Sequence, residues 1–251
     1  MKTVAILQAR MGATRLPGKV LADIEGRTLI ERVIERSRAA RGVDEVVVAT
    51  TTHADDDALE GFLMDRGLAP VFRGSMEDVL DRYYQAASRH AADVIVRVTA
   101  DDPLKDPGII ELALRQMAGS PELDYCSNTL QPTYPEGLDI EVFRRRALDK
   151  AWSEARLPSE REHVTPYIWN HPDCFRLLNF RYARDLSSWR WTVDKPNDLE
   201  FMRAVFARFR DTPLVGYEEI IRWLEENPRI REINSGTIRN EGYLRSLESE
   251  K

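Results

Sequence analysis

A cation-rich loop near the start of the chain has the clearest chemical character. Residues 7–19 read LQARMGATRLPGK and contain Arg10, Arg15, Lys19 and two glycines, with no acidic residue. The guanidinium fork of arginine and the ammonium of lysine both suit phosphate oxygens. Glycine lets the backbone approach a ligand closely, and backbone N–H groups in such turns form an anion-binding concavity. These residues therefore predict a loop that cradles a polyphosphate.

Two familiar phosphate-binding loops do not match this segment. The P-loop motif needs four residues between its glycines and a Ser or Thr after its lysine. Here five residues separate Gly12 from Gly18, and Val20 follows Lys19. The dinucleotide pattern G-x-G-x-x-G is also absent. The alternative is an ordinary connection from a strand to a helix, with solvated cations, and the density of cations and glycines makes it the weaker interpretation.

Acidic residues follow two other strand-like runs. Asp101 and Asp102 occur in the segment RVTADDP, where packing alone does not explain two adjacent acids. Hard cations such as Mg²⁺ take carboxylate oxygens and share them with substrate phosphates. The alternative is an Asx turn or a helix cap beside Pro103. Asp194, in the segment WTVDKPNDLE, precedes Pro196 and as structure alone would be an acid at a helix start.

Three further polar segments are ambiguous on their residues alone. They contain Arg73, Gly74 and Ser75 in one turn, Gly137, Asp139 and Glu141 in YPEGLDIEVF, and Arg161, Glu162 and His163 in SEREHVTPY. Helix capping explains the first as well as ligand binding does. A lone histidine is more often structural than catalytic, so the last segment is equally consistent with a subunit contact.

The composition bounds the class of protein. The chain has 251 residues, a net charge of −6 and 43% hydrophobic residues, which fits one α/β domain or two small ones. A mildly acidic chain argues against binding to a nucleic-acid polymer. Cys126 and Cys174 are too few for a disulfide framework or a zinc site, so we expect a cytoplasmic protein. The apolar run after Met1 is too short for a signal peptide or a membrane span.

The pattern of apolar residues predicts the elements that must position the candidate site. The predicted strands of the first half are 4–7, 45–49, 70–72 and 93–98, and the predicted helices are 29–41, 55–66, 77–91 and 109–117. Such alternation predicts parallel strands covered by helices, with ligands bound beyond their carboxyl ends. The loops at 10–19, 50–52, 73–75 and 99–103 should therefore lie on one rim.

The second half of the chain is less regular. Helices are predicted at 145–155, at 158–170 with an interruption at Pro166, at 196–210 and at 216–227. Strands are predicted at 175–180 and 189–194, and 134–143 is predicted to be a Pro/Gly turn that enters a strand. We expect one domain over 1–232, with 130–185 as a lobe or as the subunit contact of a homodimer. Residues 233–251 are polar with little periodicity and are predicted to form a loose tail.

The first loop resembles the signature of a known family. A-R-x-x-x-[ST]-R-L-P-x-K after the first strand is similar to cytidylyltransferases that activate acidic sugars, namely the acylneuraminate and 3-deoxy-manno-octulosonate cytidylyltransferases and the spore coat polysaccharide biosynthesis protein F group. The matching residues are Ala9, Arg10, Thr14, Arg15, Leu16, Pro17 and Lys19. The resemblance implies a Rossmann-like nucleotide-diphospho-sugar transferase fold, with a mostly parallel central sheet and helices on both faces.

The resemblance also implies an activity and a site. It implies transfer of CMP from CTP to an anionic sugar acceptor, with Mg²⁺ as cofactor, in surface polysaccharide synthesis. Asp101 and Asp194 become the metal ligands, the latter through a D-x-P-x-D-L-E segment, and Arg15, Lys19 and Asp101 the catalytic residues. One departure is Ala100, which stands where related enzymes carry glycine.

The remaining site residues are carried over in the same way. The nucleotide-binding set is Ala9, Arg10, Gly12, Thr14, Arg15, Lys19, Thr50, Arg73, Ser75 and Thr99, with Arg73 expected to contact the base. The acceptor-binding set is Gly137, Asp139, Glu141, Arg161 and His163. Either Asp139 or His163 is a candidate for a general base.

Other functions stay open on the residues alone, because nothing in them specifies cytosine. A uridylyl- or guanylyltransferase acting on a phosphosugar would use the same phosphate loop. A glycosyltransferase is a second alternative, although Asp101-Asp102 does not have the spacing of its Asp-x-Asp motif. A third is an inactive domain that binds CTP without releasing pyrophosphate. All versions of the nucleotidyltransferase hypothesis require Asp101 and Asp194 to meet near Lys19.

Overall fold

The computed structural model describes residues 1–250. Within them, a seven-stranded sheet has the order β5-β4-β1-β6-β8-β7-β9, and β2 and β3 form a separate hairpin. The strands are β1 (Thr3–Gln8), β2 (Asp23–Ile24), β3 (Arg27–Thr28), β4 (Glu45–Thr51), β5 (Val71–Gly74), β6 (Val94–Thr99), β7 (Tyr125–Ser127), β8 (Glu141–Arg144) and β9 (Leu177–Asn179).

Helices connect the strands and cover the sheet. They are α1 (Leu29–Arg38), α2 (Asp57–Asp65), α3 (Val79–Arg89), α4 (Pro107–Gly119), α5 (Arg145–Glu154), α6 (Pro158–His163), α7 (Pro166–Asn170), α8 (Pro196–Arg208), α9 (Tyr217–Glu226), α10 (Pro228–Arg231) and α11 (Glu241–Ser249). Thr28 caps the start of helix α1, and its side chain accepts from the Glu31 backbone N–H. No helix in residues 1–250 combines the length and apolarity that a bilayer crossing needs.

Strand β1 lies at the centre of the parallel half of the sheet. It pairs in parallel with β4 on one side and with β6 on the other, and β4 pairs in parallel with β5. Residues 4–7 of β1 are fully buried, as an uninterrupted apolar run between two layers of helices requires. The predicted parallel arrangement of the four strands of the first half, which are β1, β4, β5 and β6, is therefore confirmed. Their carboxyl ends share one edge of the sheet.

Two separate apolar cores show that helices cover both faces of the sheet. Buried residues of α1, α2, α4, α8 and α9 form the core on one face. Buried residues of α3, α5 and α7 form the core on the other. Because both faces of the central strands are buried, their sequences lack the alternation of polar and apolar residues that a half-exposed strand would show.

The second half of the sheet departs from the parallel pattern. Strand β8 pairs antiparallel with β6 and with β7, whereas β7 pairs in parallel with β9. The prediction of a strand over 189–194 is wrong: that segment makes one isolated bridge, between Arg190 and Glu136. Strand β7 and the β2–β3 hairpin were not predicted, because segments of two or three residues carry too little periodicity to identify.

The C-terminal residues also differ from the prediction of a loose tail. Residues 241–249 form helix α11, which packs against α6. The Glu250 carboxylate accepts hydrogen bonds from the backbone N–H and the hydroxyl of Ser159, at 2.5 and 3.0 Å. Tyr243 also packs edge-to-face against His163 and Trp169, so polar and aromatic contacts together hold this helix in place.

Gly137 holds two segments of the second half in close contact. Its φ is +101°, and a Cβ at this position would lie 2.2 Å from the Trp191 carbonyl oxygen. The neighbouring residue Glu136 makes two backbone hydrogen bonds with the segment 189–191. Glu136 N donates to Trp189 O at 2.8 Å, and Trp191 N donates to Glu136 O at 2.6 Å. Any side chain at 137 must therefore force the two backbones apart.

We expect Gly137→Ala to lower the free energy of unfolding by about 3 kcal/mol or more, because strain and backbone overlap act together. Urea denaturation at neutral pH measures the loss. Gly61→Ala is the matched control, since Gly61 lies in α2 with no atom within 4 Å of a Cβ there. Equal stability of Gly137→Ala and wild type would contradict the close contact.

Candidate functional site

The Lys19 ammonium joins three loops at the carboxyl edge of the sheet. Its Nζ donates to Asp101 Oδ2 at 3.0 Å, to Asp194 Oδ1 at 2.9 Å and to the Val193 carbonyl at 2.8 Å. Gly18, with a φ of +69°, directs the chain into the short 3-10 turn that begins with Lys19. Asp101 follows β6, and its carbonyl accepts from Val193 N at 2.8 Å. The structure therefore brings Asp101, Asp194 and Lys19 together, as the hypothesis required.

Asp194 is the most heavily paired carboxylate of this site. Besides Lys19, it accepts from Arg15 Nη2 at 2.9 Å and from Arg190 Nη2 at 2.8 Å. Burial by itself would raise the pKa of Asp194, but the charges of Lys19 and Arg15 outweigh it and hold that pKa well below its usual range. Asp194 is consequently ionised at every pH at which the protein would normally be studied.

Asp198 supports this arrangement from behind. It is fully buried, and it accepts from Arg190 Nε at 2.9 Å and from the backbone N–H groups of Asp194 and Lys195, both at 2.9 Å. It therefore orients Arg190 and fixes the start of α8. Neither Arg190 nor Asp198 was predicted as a site residue, because each reads in the sequence as an ordinary residue near a helix start.

The donor set suits a small hard cation that is shared with a phosphate ligand. Within residues 1–250 there is no cluster of three or more metal-ligating side chains. Mg²⁺, however, is usually bound by one or two carboxylates, with phosphate oxygens and water as the other ligands. Asp101 and Asp194 converge on one positive charge, the Lys19 ammonium, so the two side chains fit that role.

Two adjoining cavities open at this point. The phosphate cleft, of about 880 Å³, lies between the first loop, the start of α3, and helices α6 and α11. The predicted residues that line it are Ala9, Arg10, Thr14, Arg15, Lys19, Thr99, Asp101, Arg161, His163 and Asp194. Arg82 also lines it and was not predicted as a ligand. Arg82 is buried, and its Nη1 donates to the Ser75 carbonyl at 2.6 Å.

Four predicted nucleotide-binding residues lie outside the lining of the phosphate cleft. They are Gly12, Thr50, Arg73 and Ser75. The Arg73 guanidinium instead lies 2.6 Å from Asp57 and 2.8 Å from Glu60. Helix α2 presents these acids next to β5, so Arg73 braces the loop after β4 and the structure does not bring it to the cleft. Ser75 accepts from the Asp78 backbone N–H at 3.0 Å, which is a capping contact.

The acceptor cavity, of about 440 Å³, adjoins the phosphate cleft on the β8 side. The predicted acceptor-binding residues that line it are Gly137, Asp139, Glu141 and His163. It shares Arg15, Asp101 and Asp194 with the phosphate cleft. Arg161 lines only the cleft, where its guanidinium is held by Asp78 at 2.5 Å.

Two of these residues, Asp139 and His163, differ in how their polar atoms are paired. The Asp139 carboxylate accepts from Arg239 Nη2, so it is already paired. The His163 Nε2 lies 2.9 Å from the Ser246 hydroxyl. Burial, together with the charge of Arg97, lowers the pKa of His163 below its ordinary value, so the imidazole is neutral at pH 7. His163 also lines both cavities.

Helix α11 closes one side of both cavities. Glu241 Oε2 accepts from Arg15 Nη1 at 2.9 Å, and Gly242 lines both cavities. The Asn240 backbone N–H donates to Glu136 at 3.0 Å. The sequence patterns did not predict this contribution. The available signal was the spacing of Tyr243, Leu244 and Leu247, which places three apolar residues on one helical face.

Comparison with known proteins gives a consistent result. The cytidylyltransferase family matches residues 4–230. The spore coat polysaccharide biosynthesis protein SpsF of Bacillus subtilis is 34% identical over 231 residues, which are 89% of this chain and 94% of that protein. A 3-deoxy-manno-octulosonate cytidylyltransferase of Anaeromyxobacter sp. is 40% identical over 64% of this chain and 66% of its own length. A cytidylyltransferase structure from Leptospira borgpetersenii has a TM-score of 0.88 at 34% identity, covering 95% of this chain and all of that one.

We expect Asp194→Asn to lower the free energy of unfolding by about 1–2 kcal/mol at pH 7, measured without nucleotide or metal. Since the folded-state pKa of Asp194 is depressed, its stabilisation is fully present above its ordinary pKa of 3.8 and is lost progressively as the pH falls from there towards the folded-state pKa. The difference between the two proteins should therefore shrink as the pH falls below about 4.

Urea denaturation at pH 7 and at pH 3.5 tests this expectation. Asp211→Asn is the control, because Asp211 is exposed after the end of α8. A stability difference for Asp194→Asn that is constant between the two pH values would contradict the ion-pair explanation.

Proposed function

The chain belongs to the cytidylyltransferase family, and from that premise we propose that it transfers CMP from CTP to an acidic sugar, releasing pyrophosphate, in surface polysaccharide synthesis. One observation carries the proposal: the Lys19 ammonium lies between the carboxylates of Asp101 and Asp194, where the phosphate cleft meets the acceptor cavity. The cationic side chains that would bind a triphosphate therefore lie next to the carboxylates that would bind a metal ion.

The phosphate cleft suits the triphosphate of CTP. Arg10, Arg15 and Lys19 all line it, and arginine and lysine bind phosphate oxygens by charge-assisted hydrogen bonds. In the proposed reaction an acceptor oxygen bonds to the α-phosphorus while the bond from that phosphorus to the pyrophosphate oxygen breaks. Negative charge then builds on the departing pyrophosphate, and Arg15 and Lys19 stabilise it there.

Asp101 and Asp194 would hold Mg²⁺ together with the nucleotide. When bound, the cation neutralises charge on the triphosphate oxygens. The contribution of the chain is to keep the Asp194 carboxylate ionised and in place, which Lys19, Arg15 and Arg190 do by direct pairing. The depressed pKa of Asp194 means that protons do not compete for this ligand near neutral pH.

The acceptor is assigned to the cavity that adjoins the cleft. A molecule bound there lies next to Asp101 and Asp194, and so within reach of a phosphate held at the same point. Of the two base candidates, the geometry favours His163, which is neutral at pH 7 and lines both cavities. Asp139 is paired with Arg239 and lines only the acceptor cavity.

Pyrophosphate release from each of the four NTPs tests the proposal, measured with Mg²⁺ across a panel of sugar acids, phosphosugars and neutral sugars. Release that needs CTP and a sugar acid is the expected result. Release with UTP or GTP and a phosphosugar would favour the alternative nucleotidyltransferases. No release with any pair, together with CTP binding, would indicate a binding domain.

Arg15→Ala and Asp101→Ala should each reduce kcat by about 100- to 1,000-fold, because each removes a charge that acts on the triphosphate in the transition state. Steady-state pyrophosphate release measures the loss, and thermal unfolding confirms that each variant is folded. Arg222→Ala is the control, since Arg222 is exposed on α9. Near-normal turnover in either variant would remove that residue from the mechanism.

A further inference from the structure

The arginines that line the acceptor cavity differ in how many of their nitrogens are already paired. Arg190 uses all three: Nε donates to Asp198 at 2.9 Å, Nη1 to Glu136 at 2.7 Å and Nη2 to Asp194 at 2.8 Å. Both terminal nitrogens of Arg15 lie on carboxylates, those of Asp194 and Glu241. In both guanidinium groups the terminal nitrogens already have carboxylate partners. Neither side chain therefore has two free donors for an anionic group of the sugar acceptor.

Arg97 is different. Its Nη1 donates to Glu141, whereas its Nε is buried without a hydrogen-bond partner in residues 1–250, and no bond from Nη2 occurs there either. The N–H groups of Nε and Nη2 lie on the same edge of the guanidinium. That edge matches the two oxygens of a carboxylate, in the bidentate geometry typical of arginine. Arg97 also lines the acceptor cavity.

Glu141 fixes the orientation of Arg97. The β6–β8 register places the two residues directly opposite each other. Glu141 Oε1 also accepts from Tyr125 OH at 2.7 Å and from Thr165 Oγ1 at 2.5 Å. With these partners Glu141 has no role left as a direct ligand, so it is a positioning residue that leaves the other edge of Arg97 unpaired.

The charges of this pair persist in the buried site. Burial by itself would raise the pKa of Glu141, but Arg97 outweighs it and lowers that pKa. Burial would likewise lower the pKa of Arg97, and Glu141 raises it instead. Arg97 therefore presents a permanent positive charge at the wall of the cavity.

Aromatic side chains supply another wall of the same cavity. Trp169 and Tyr243 both line it, with ring centroids 5.6 Å apart in an edge-to-face contact. The rest of the lining is mostly polar or charged, so these two rings are the main apolar surface that a bound ring could contact. Aromatic surface beside an unpaired guanidinium edge suits a ring compound that carries one oxyanion.

We propose that Arg97 selects the acceptor, by binding its anionic group through Nε and Nη2 while Trp169 and Tyr243 pack against its ring. This inference rests on the proposed function, and it adds a specificity-determining residue that the cation-rich loop does not contain. The chemistry is that of an oxyanion, and a carboxylate or a phosphate on a sugar would supply it.

The test compares wild type with Arg97→Gln and Arg97→Lys in steady-state kinetics with CTP. The acceptors are 3-deoxy-manno-octulosonate, N-acetylneuraminate, glucose 1-phosphate and mannose. We expect Arg97→Gln to raise the KM for a sugar acid by about 30- to 100-fold, while the KM for CTP stays within about twofold. Arg97→Lys keeps the charge but loses the bidentate edge, so it should recover only part of the loss. Arg222→Gln is the matched control and should change neither KM.

The two KM values separate binding from a structural effect. An unchanged acceptor KM in Arg97→Gln, or a parallel rise in both KM values, would overturn the inference. Sensitivity confined to glucose 1-phosphate would support oxyanion binding and assign the group as a phosphate. Equal sensitivity with mannose would overturn selection by charge.

A direct binding measurement distinguishes failure of the inference from failure of the proposed function. Absence of pyrophosphate release from wild type with every acceptor would reject the function. Calorimetric titration of 3-deoxy-manno-octulosonate into CTP-loaded wild type and Arg97→Gln then decides the inference alone. Binding lost only in the variant would support it, and equal binding, or none to wild type, would overturn it.

Discussion

One buried ammonium group connects the parts of the chain that carry the chemistry. Lys19 donates to Asp101, Asp194 and the Val193 carbonyl, which belong to loops more than eighty residues away in sequence. A buried charge is costly unless it is fully paired, so neither the loop of Asp101 nor the loop of Val193 and Asp194 can move away without leaving Lys19 unsatisfied. Desolvation would lower the pKa of Lys19, and the two carboxylates raise it instead. The geometry of both cavities depends on this contact.

Arg190 extends the same constraint into the acceptor cavity. It pairs with Glu136, Asp194 and the fully buried Asp198, and so joins the wall of that cavity to the start of α8. Gly137 permits the close backbone contact that brings Glu136 to this position. Because Asp194 is shared by Lys19, Arg15 and Arg190, the phosphate cleft and the acceptor cavity are held in one fixed relation.

The cations of the phosphate cleft are largely neutralised by the protein itself. Arg15 bridges Asp194 and Glu241, and Glu241 belongs to helix α11 at the C-terminal end of the described chain. Under the proposed function, Arg15 gives up these carboxylates for phosphate oxygens when CTP binds. The free energy of binding is then the difference between two sets of charge-assisted hydrogen bonds. Helix α11 is therefore part of the balance that sets nucleotide affinity, which its polar sequence did not indicate.

The sequence by itself determined the parallel half of the sheet, the family and the cluster around Lys19. It could do so because fully buried strands and their crossover helices have strong apolar patterns, and parallel strands place their final loops at one edge. It did not indicate the partners of Arg73 and Arg97 or the position of α11, since those depend on which groups are nearest in space. Arg73 meets Asp57 and Glu60, whereas Arg97 keeps one edge unpaired because β8 returns antiparallel and places Glu141 opposite it. Only the tertiary structure decides how charges are paired, because a pairing energy depends on distance and burial, and local sequence contains neither.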